Sequence, residues 1–174
     1  VVRGGLVCSS LAGETVEGLR LGILAKEWDP TGGLDPFARR LAPRGPMSAR
    51  LVAFELHGGL VVETELDPKK QGFLFDHRID GTAVLPGVMG VEAFAEAAAA
   101  LFPDFRVAAV EDVSFASPFK LYRDEPRAVR VEAVLRPAGE AIEAECRLVG
   151  RRALPGQAAP QETVHFTAKV RLEK

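Results

Sequence analysis

With 174 residues, 47% of them hydrophobic, the chain is long enough for one compact core and too short for two ordinary domains with separate cores. Its 22 Lys and Arg against 24 Asp and Glu leave a formal charge of −2, which gives no electrostatic footprint for nucleic acid, and no apolar run approaches a membrane span without glycine, proline or charge. Cys8 and Cys146 form neither a metal spacing nor a disulfide framework, so a reducing cytoplasm is the expected setting.

Residues 1–46 are a mixture of short apolar stretches interrupted by Gly4-Gly5, Gly32-Gly33, Pro30, Pro36, Pro43 and Pro46, and read as a lead-in extension, the end of a preceding module. The valine at position 1 fits a segment of a longer polypeptide. A single domain is expected over 47–174. Residues 47–56 and 60–66 alternate apolar with polar around His57-Gly58-Gly59, a hairpin pattern.

Asp80-Gly81 supplies the positive φ angles of a tight turn, and Pro86-Gly87 ends any strand. From 88 to 101 strong helix formers follow without proline, Met89, Ala93, Ala95 and Ala97 to Ala100 among them, and Pro103 stops the run. Only Glu92 and Glu96 carry charge there, so the helix is expected to be the buried element of the domain. Four strands are then predicted, over 106–115, 128–136, 141–150 and 162–172, separated by Pro118, by Asp124-Glu125-Pro126, by Pro137-Ala138-Gly139 and by the loop 154–160. Val129, Val131, Ala133 and Leu135 alternate with Arg130, Glu132, Val134 and Arg136, which makes one face apolar and one wet. A hairpin, one apolar helix and consecutive antiparallel strands predict an α+β fold in which a curved antiparallel sheet wraps one long helix.

Among the titratable residues His77 stands out, because it precedes a Gly/Pro turn that opens the helix, where free N–H groups can hold a ligand. A lone histidine is more often a turn cap, and only its place in the motif below reverses that. Glu92 and Glu96, four apart, have an equally plain reading as the one solvated stripe of the helix. Asp76, His77 and Asp80, with His57 or His165, match no common zinc spacing, so no metal is expected. His57 and His165 read as a turn residue and a strand residue. Cys8 and Ser9-Ser10 lack the context of a nucleophile elbow. Lys120, Arg123, Arg127 and Arg151-Arg152 read as solvated faces, open to an acidic carrier-protein partner.

The pattern His77, three residues, Gly81, four residues, Pro86, set in FDHRIDGTAVLPGVMGVEAFAEAA, resembles dehydratase domains of polyketide and polyunsaturated fatty acid synthases, and looks most like those of enediyne-type iterative synthases. The likeness runs over 63–100 and resumes weakly over 107–130 in VEDVSFASPFKL; the first 45 or so residues carry none. The resemblance implies the hotdog fold and dehydration of a β-hydroxyacyl thioester, carried on the phosphopantetheine of an acyl carrier protein, to a trans-2-enoyl thioester with no further cofactor. It makes His77 the base and places Gly81, Pro86, Gly87 and Val88 at the substrate, with the N–H groups of Gly87 and Val88 facing the thioester oxygen.

For the acid the resemblance leaves two sources. Stand-alone dehydratases carry a helix carboxylate six residues after the motif proline, where Glu92 stands. The His-to-Pro distance equals that of modular dehydratases, whose carboxylate lies on a second hotdog. A lone hotdog exposes a sheet edge and half of an acyl tunnel, so a homodimer or pairing with a second hotdog is expected. If the Glu92 face lines that tunnel, Glu92 is expected to be buried in the dimer near the partner's base, with a raised pKa. The alternative is a non-catalytic or half-catalytic hotdog that binds acyl chains or scaffolds a synthase. A thioesterase on the same fold is a third option, disfavoured because those enzymes generally lack the motif.

Overall fold

The computed structural model describes residues 45–54, 59–100, 102, 104–152, 156 and 160–174. The lead-in extension up to residue 44 and the turn expected at His57-Gly58 lie outside the described residues. Strands β1 (Arg50–Phe54) and β2 (Gly59–Leu66) pair antiparallel, as their alternation predicts. A single helical turn, α1 (Gly72–Phe75), leads into the short strands β3 (Arg78–Ile79) and β4 (Thr82–Val84), and then comes the main helix α2 (Gly87–Ala99). The rest of the chain is β5 (Arg106–Phe115), β6 (Lys120–Leu121), a 3₁₀ turn at Tyr122–Asp124, β7 (Arg127–Ala138), β8 (Ala141–Arg152) and β9 (Gln161–Glu173).

The six long strands form one antiparallel sheet in the order β1-β2-β7-β8-β9-β5, and β3-β4-β6 form a small second sheet. In-facing residues fall in register across the large sheet: Val131 lies opposite Leu148 and Ala133 opposite Cys146. Cys146 in turn lies opposite Ala168. All of these are buried, while Arg130, Glu132 and Arg147 on the other face carry the ion pairs Arg130–Glu63 and Arg147–Glu132. Burial also pushes the Cys146 thiol up to about 12, so it is a packing residue and not a nucleophile. Helix α2 packs on β2, β5, β7, β8 and β9, with Ala93, Phe94, Ala97 and Ala98 fully enclosed. This is the hotdog layout expected from the sequence.

The helix can lie this close because its inner face is small. A Cβ at Gly90 would stand 2.3 Å from Cδ2 of Phe166, a buried ring on β9, so only glycine fits there without moving the ring. The predicted boundaries shift in places. Strand β7 runs on through Pro137, where the sequence predicts a separator, because that residue sits next to the hairpin turn where the ladder ends and a missing N–H costs least. The small sheet and the 3₁₀ turn carry no alternation long enough to read from sequence.

One expectation about the helix is overturned. Glu96 is not part of a solvated stripe: it is 4% exposed, and its carboxylate accepts the Met47 N–H at 3.0 Å (Oε2) and 3.3 Å (Oε1). Thr64 completes the same clasp, donating to the Met47 carbonyl at 2.7 Å and accepting from the Ala49 N–H at 3.0 Å. A buried carboxylate survives here because it satisfies backbone donors of a segment that enters the sheet without strand partners of its own. Among the described residues no helix is long and apolar enough to cross a membrane.

Candidate active site

The loop that carries His77 is built by short-range rules. Asp80 (φ 48°) and Gly81 (φ 75°) both adopt the positive φ of a two-residue hairpin turn, which pairs Arg78 with Ala83 and Ile79 with Thr82. His77 stands just before this hairpin and is tied to its far strand twice. Its carbonyl accepts the Val84 N–H at 3.0 Å, and its Nδ1 lies 2.8 Å from the Val84 carbonyl oxygen. A carbonyl oxygen only accepts, so Nδ1 carries the proton and Nε2 keeps its lone pair. Nε2 has no hydrogen-bond partner among the described residues, and the side chain is exposed. The arrangement fixes the ring's orientation and leaves Nε2 open to a ligand.

Three residues beyond Val84 the main helix begins. Pro86 is its N-cap (φ −60°, ψ 139°), and its carbonyl accepts the N–H groups of Met89 at 3.0 Å and Gly90 at 3.2 Å. The N–H groups of Gly87 and Val88 precede the first intrahelical bond and have no helical partner, and no side chain among the described residues caps them. They suit a developing negative charge, helped by the positive end of the helix dipole. At Gly87 a Cβ would approach Cε1 of Phe115 to 3.0 Å, so glycine lets that ring lie over the helix start. Phe75, Ile79, Val88 and Phe115 are all markedly exposed, Val88 at 74%, so His77 and the helix start stand among uncovered apolar side chains.

Arg78 is a residue that sequence reasoning missed. Its guanidinium donates to the carbonyls of Phe75 and Gly81, both at 3.0 Å, and forms a two-pronged pair with Asp124 at 3.0 and 3.2 Å. Asp124 itself sits at φ 52° in the 3₁₀ turn. The His77 hairpin is thereby locked to the segment before β7. Asp124 is 46 positions away, and nothing in the spacing of either residue signals the pair. We expect Arg78→Ala to lower activity about ten- to a hundredfold by loosening His77, with Arg78→Lys restoring only part of it because lysine cannot make the fork. A steady-state assay with circular dichroism as the fold control checks this; unchanged kcat in a folded Arg78→Ala variant would remove Arg78 from the positioning role.

Glu92, the other candidate, lies exposed on α2, and its charge reaches Glu96, whose carboxyl it helps to raise. Asp76 and Asp80 are exposed beside His77, and no group of three or more His, Cys, Asp or Glu able to hold a metal exists among the described residues. His165 lies on strand β9, as its alternating context predicts, and is buried at 7% exposure.

Residues 47–148 match the family model described as polyketide synthase dehydratase domain. No curated protein matches the chain at a significant level. Among solved structures, the dehydratase domain from the CurF module of curacin polyketide synthase aligns with a TM-score of 0.59 at 18% identity, covering 76% of this chain and 45% of that one. The dehydratase domain of the polyketide PpsC from Mycobacterium tuberculosis aligns at 0.54 and 24% identity, covering 75% and 45%. The bifunctional dehydratase-cyclase domain in ambruticin biosynthesis aligns at 0.56 and 21%, covering 77% and 44%. The chain therefore spans less than half the length of these solved domains.

Proposed function

Because this chain belongs to the polyketide synthase dehydratase family, we propose that it is one hotdog of a β-hydroxyacyl dehydratase and supplies the base half of the site. The substrate is a β-hydroxyacyl thioester on the phosphopantetheine arm of an acyl carrier protein, in polyketide or related fatty acid synthesis in the cytoplasm. Nε2 of His77 takes the α-proton, and the N–H groups of Gly87 and Val88 hold the thioester oxygen as it gains charge. The β-hydroxyl leaves as water on receiving a proton from an acid, and the C–H electrons form the trans double bond. The observation that carries this reading is the Nδ1 contact to the Val84 carbonyl, which selects the tautomer with a free Nε2.

The acid belongs to a partner in this reading. Glu92 is exposed on the single chain and can serve only if a second subunit brings a substrate across it. The edge strand β5 and the uncovered Val88 and Phe115 offer the surface on which a second copy or a second hotdog adds to the sheet.

Isotope exchange tests the reading. The chain alone, with base and oxyanion donors, is expected to exchange the α-proton of a β-hydroxyacyl thioester with deuterated water, while elimination appears only when the partner hotdog is present. Neither exchange nor elimination with carrier-bound substrates, partner included, would leave acyl binding or scaffolding as the function.

A further inference from the structure

A concave site lies beside the Tyr122–Asp124 turn. The start of β7, the end of β8 and the start of β9 enclose a cleft of about 840 Å³, whose lining includes Arg123, Arg127, Arg151 and Arg152 against one carboxylate, Glu125. The guanidinium of Arg127 stacks on the buried Phe119 ring, 4.4 Å from its centroid, and donates to the Lys120 carbonyl at 2.6 Å. Burial lowers its pKa, and repulsion from Arg152 lowers it further. Arg151 pairs with Glu162 at 2.8 Å. Arg123, Arg127 and Arg152 have no carboxylate within ion-pair distance among the described residues. Converging like charges of this kind are costly unless an anion neutralises them.

His165 adds an independent observation at the same cleft. The residue is 7% exposed, its ring packs edge-on to Phe119 at 5.0 Å, and its Nε2 is buried with no hydrogen-bond partner among the described residues. The other nitrogen, Nδ1, is held by Ser117, 3.1 Å from the hydroxyl and 3.2 Å from the carbonyl. Gly150 on β8 lines the cleft beside it, and a Cβ there would lie 2.6 Å from Nε2, so the glycine is what lets the imidazole pack against β8. By the rule applied to His77, the Ser117 carbonyl puts the proton on Nδ1, so the buried Nε2 beside this arginine-lined cleft keeps a lone pair with no donor among the described residues, and a ligand that brings a hydrogen-bond donor can complete the set.

We infer that this cleft binds a phosphate group, free or as an ester. Phosphate fits better than a carboxylate ligand because its tetrahedral oxygens can take forked bonds from Arg127 and Arg152 while a protonated P–OH donates to the Nε2 lone pair of His165. The cleft adjoins the His77 loop through Asp124, which Arg78 grips, yet shares no residue with the base or the helix start. Its occupancy is therefore separable from dehydration.

The test is titration of the chain with inorganic phosphate, phosphopantetheine and unphosphorylated pantetheine, followed through the His165 ring resonances. Both phosphates are expected to shift those resonances, saturably and less strongly at high salt, and pantetheine is not. Arg152→Gln and Arg123→Gln, both exposed and safe for folding, are expected to weaken binding about tenfold each, and His77→Ala to leave it unchanged. Phosphopantetheine binding at least about tenfold tighter than phosphate identifies a tethered ester as the occupant, and equal affinity identifies free phosphate. No shift with either, an equal shift with pantetheine or chloride, or indifference to both arginine substitutions would overturn the site.

Discussion

His77→Ala is expected to lower dehydration about 10²- to 10⁴-fold, the usual share of a positioned proton-transfer group, when assayed as enoyl thioester formed with the partner hotdog present. The same substitution should abolish α-proton exchange by the chain alone. The fold should survive, because the side chain is exposed and gives up one hydrogen bond, to the Val84 carbonyl, worth about 1 kcal/mol. Thermal unfolding separates the two effects: a midpoint lowered by only about 2–4 °C alongside a lost rate fits a catalytic role. A variant that keeps most of its rate would remove His77 from the chemistry and leave the Val84 contact as a turn-stabilising bond.

Glu96→Ala is expected to give the largest loss of stability of any single polar substitution in the domain. It leaves the Met47 N–H buried without an acceptor and opens space under the clasp, at a combined cost of about 2–4 kcal/mol in denaturant unfolding. Glu96→Gln keeps one acceptor oxygen and should cost less. The pair also predicts a pH dependence. Burial raises the Glu96 carboxyl above its ordinary 4.5, and the neighbouring Glu92 adds to the rise, while hydrogen bonds from Ser48 and Met47 oppose it.

Between 4.5 and the raised folded value the native chain holds a proton that the unfolded chain has lost, so stability falls as pH rises through that window. The advantage of Glu96 over glutamine should therefore be greatest below 4.5 and shrink above it until the folded carboxyl ionises. Unfolding curves for wild type and Glu96→Gln at several pH values check the slope. A difference that grows with pH would mean that the carboxylate is stabilised by its donors more than it is penalised by burial.

The two glutamates also mark the boundary of what a sequence can tell. Period-two alternation in residues 129–135 and 142–148 determined two strands and their buried faces, because a strand's side chains must take opposite sides. Asp80-Gly81 determined the hairpin turn by its φ preferences, and the alanine-rich run after Pro86 determined the helix. Those rules act over a few residues. The order β1-β2-β7-β8-β9-β5, the grip of Arg78 on Asp124 and the difference between Glu92 and Glu96 depend on groups 46 to 49 or more positions apart. On the helix alone the two carboxylates, one turn apart, are equivalent. Only the folded chain, by laying the Met47 N–H over one of them, buries Glu96 and leaves Glu92 in water.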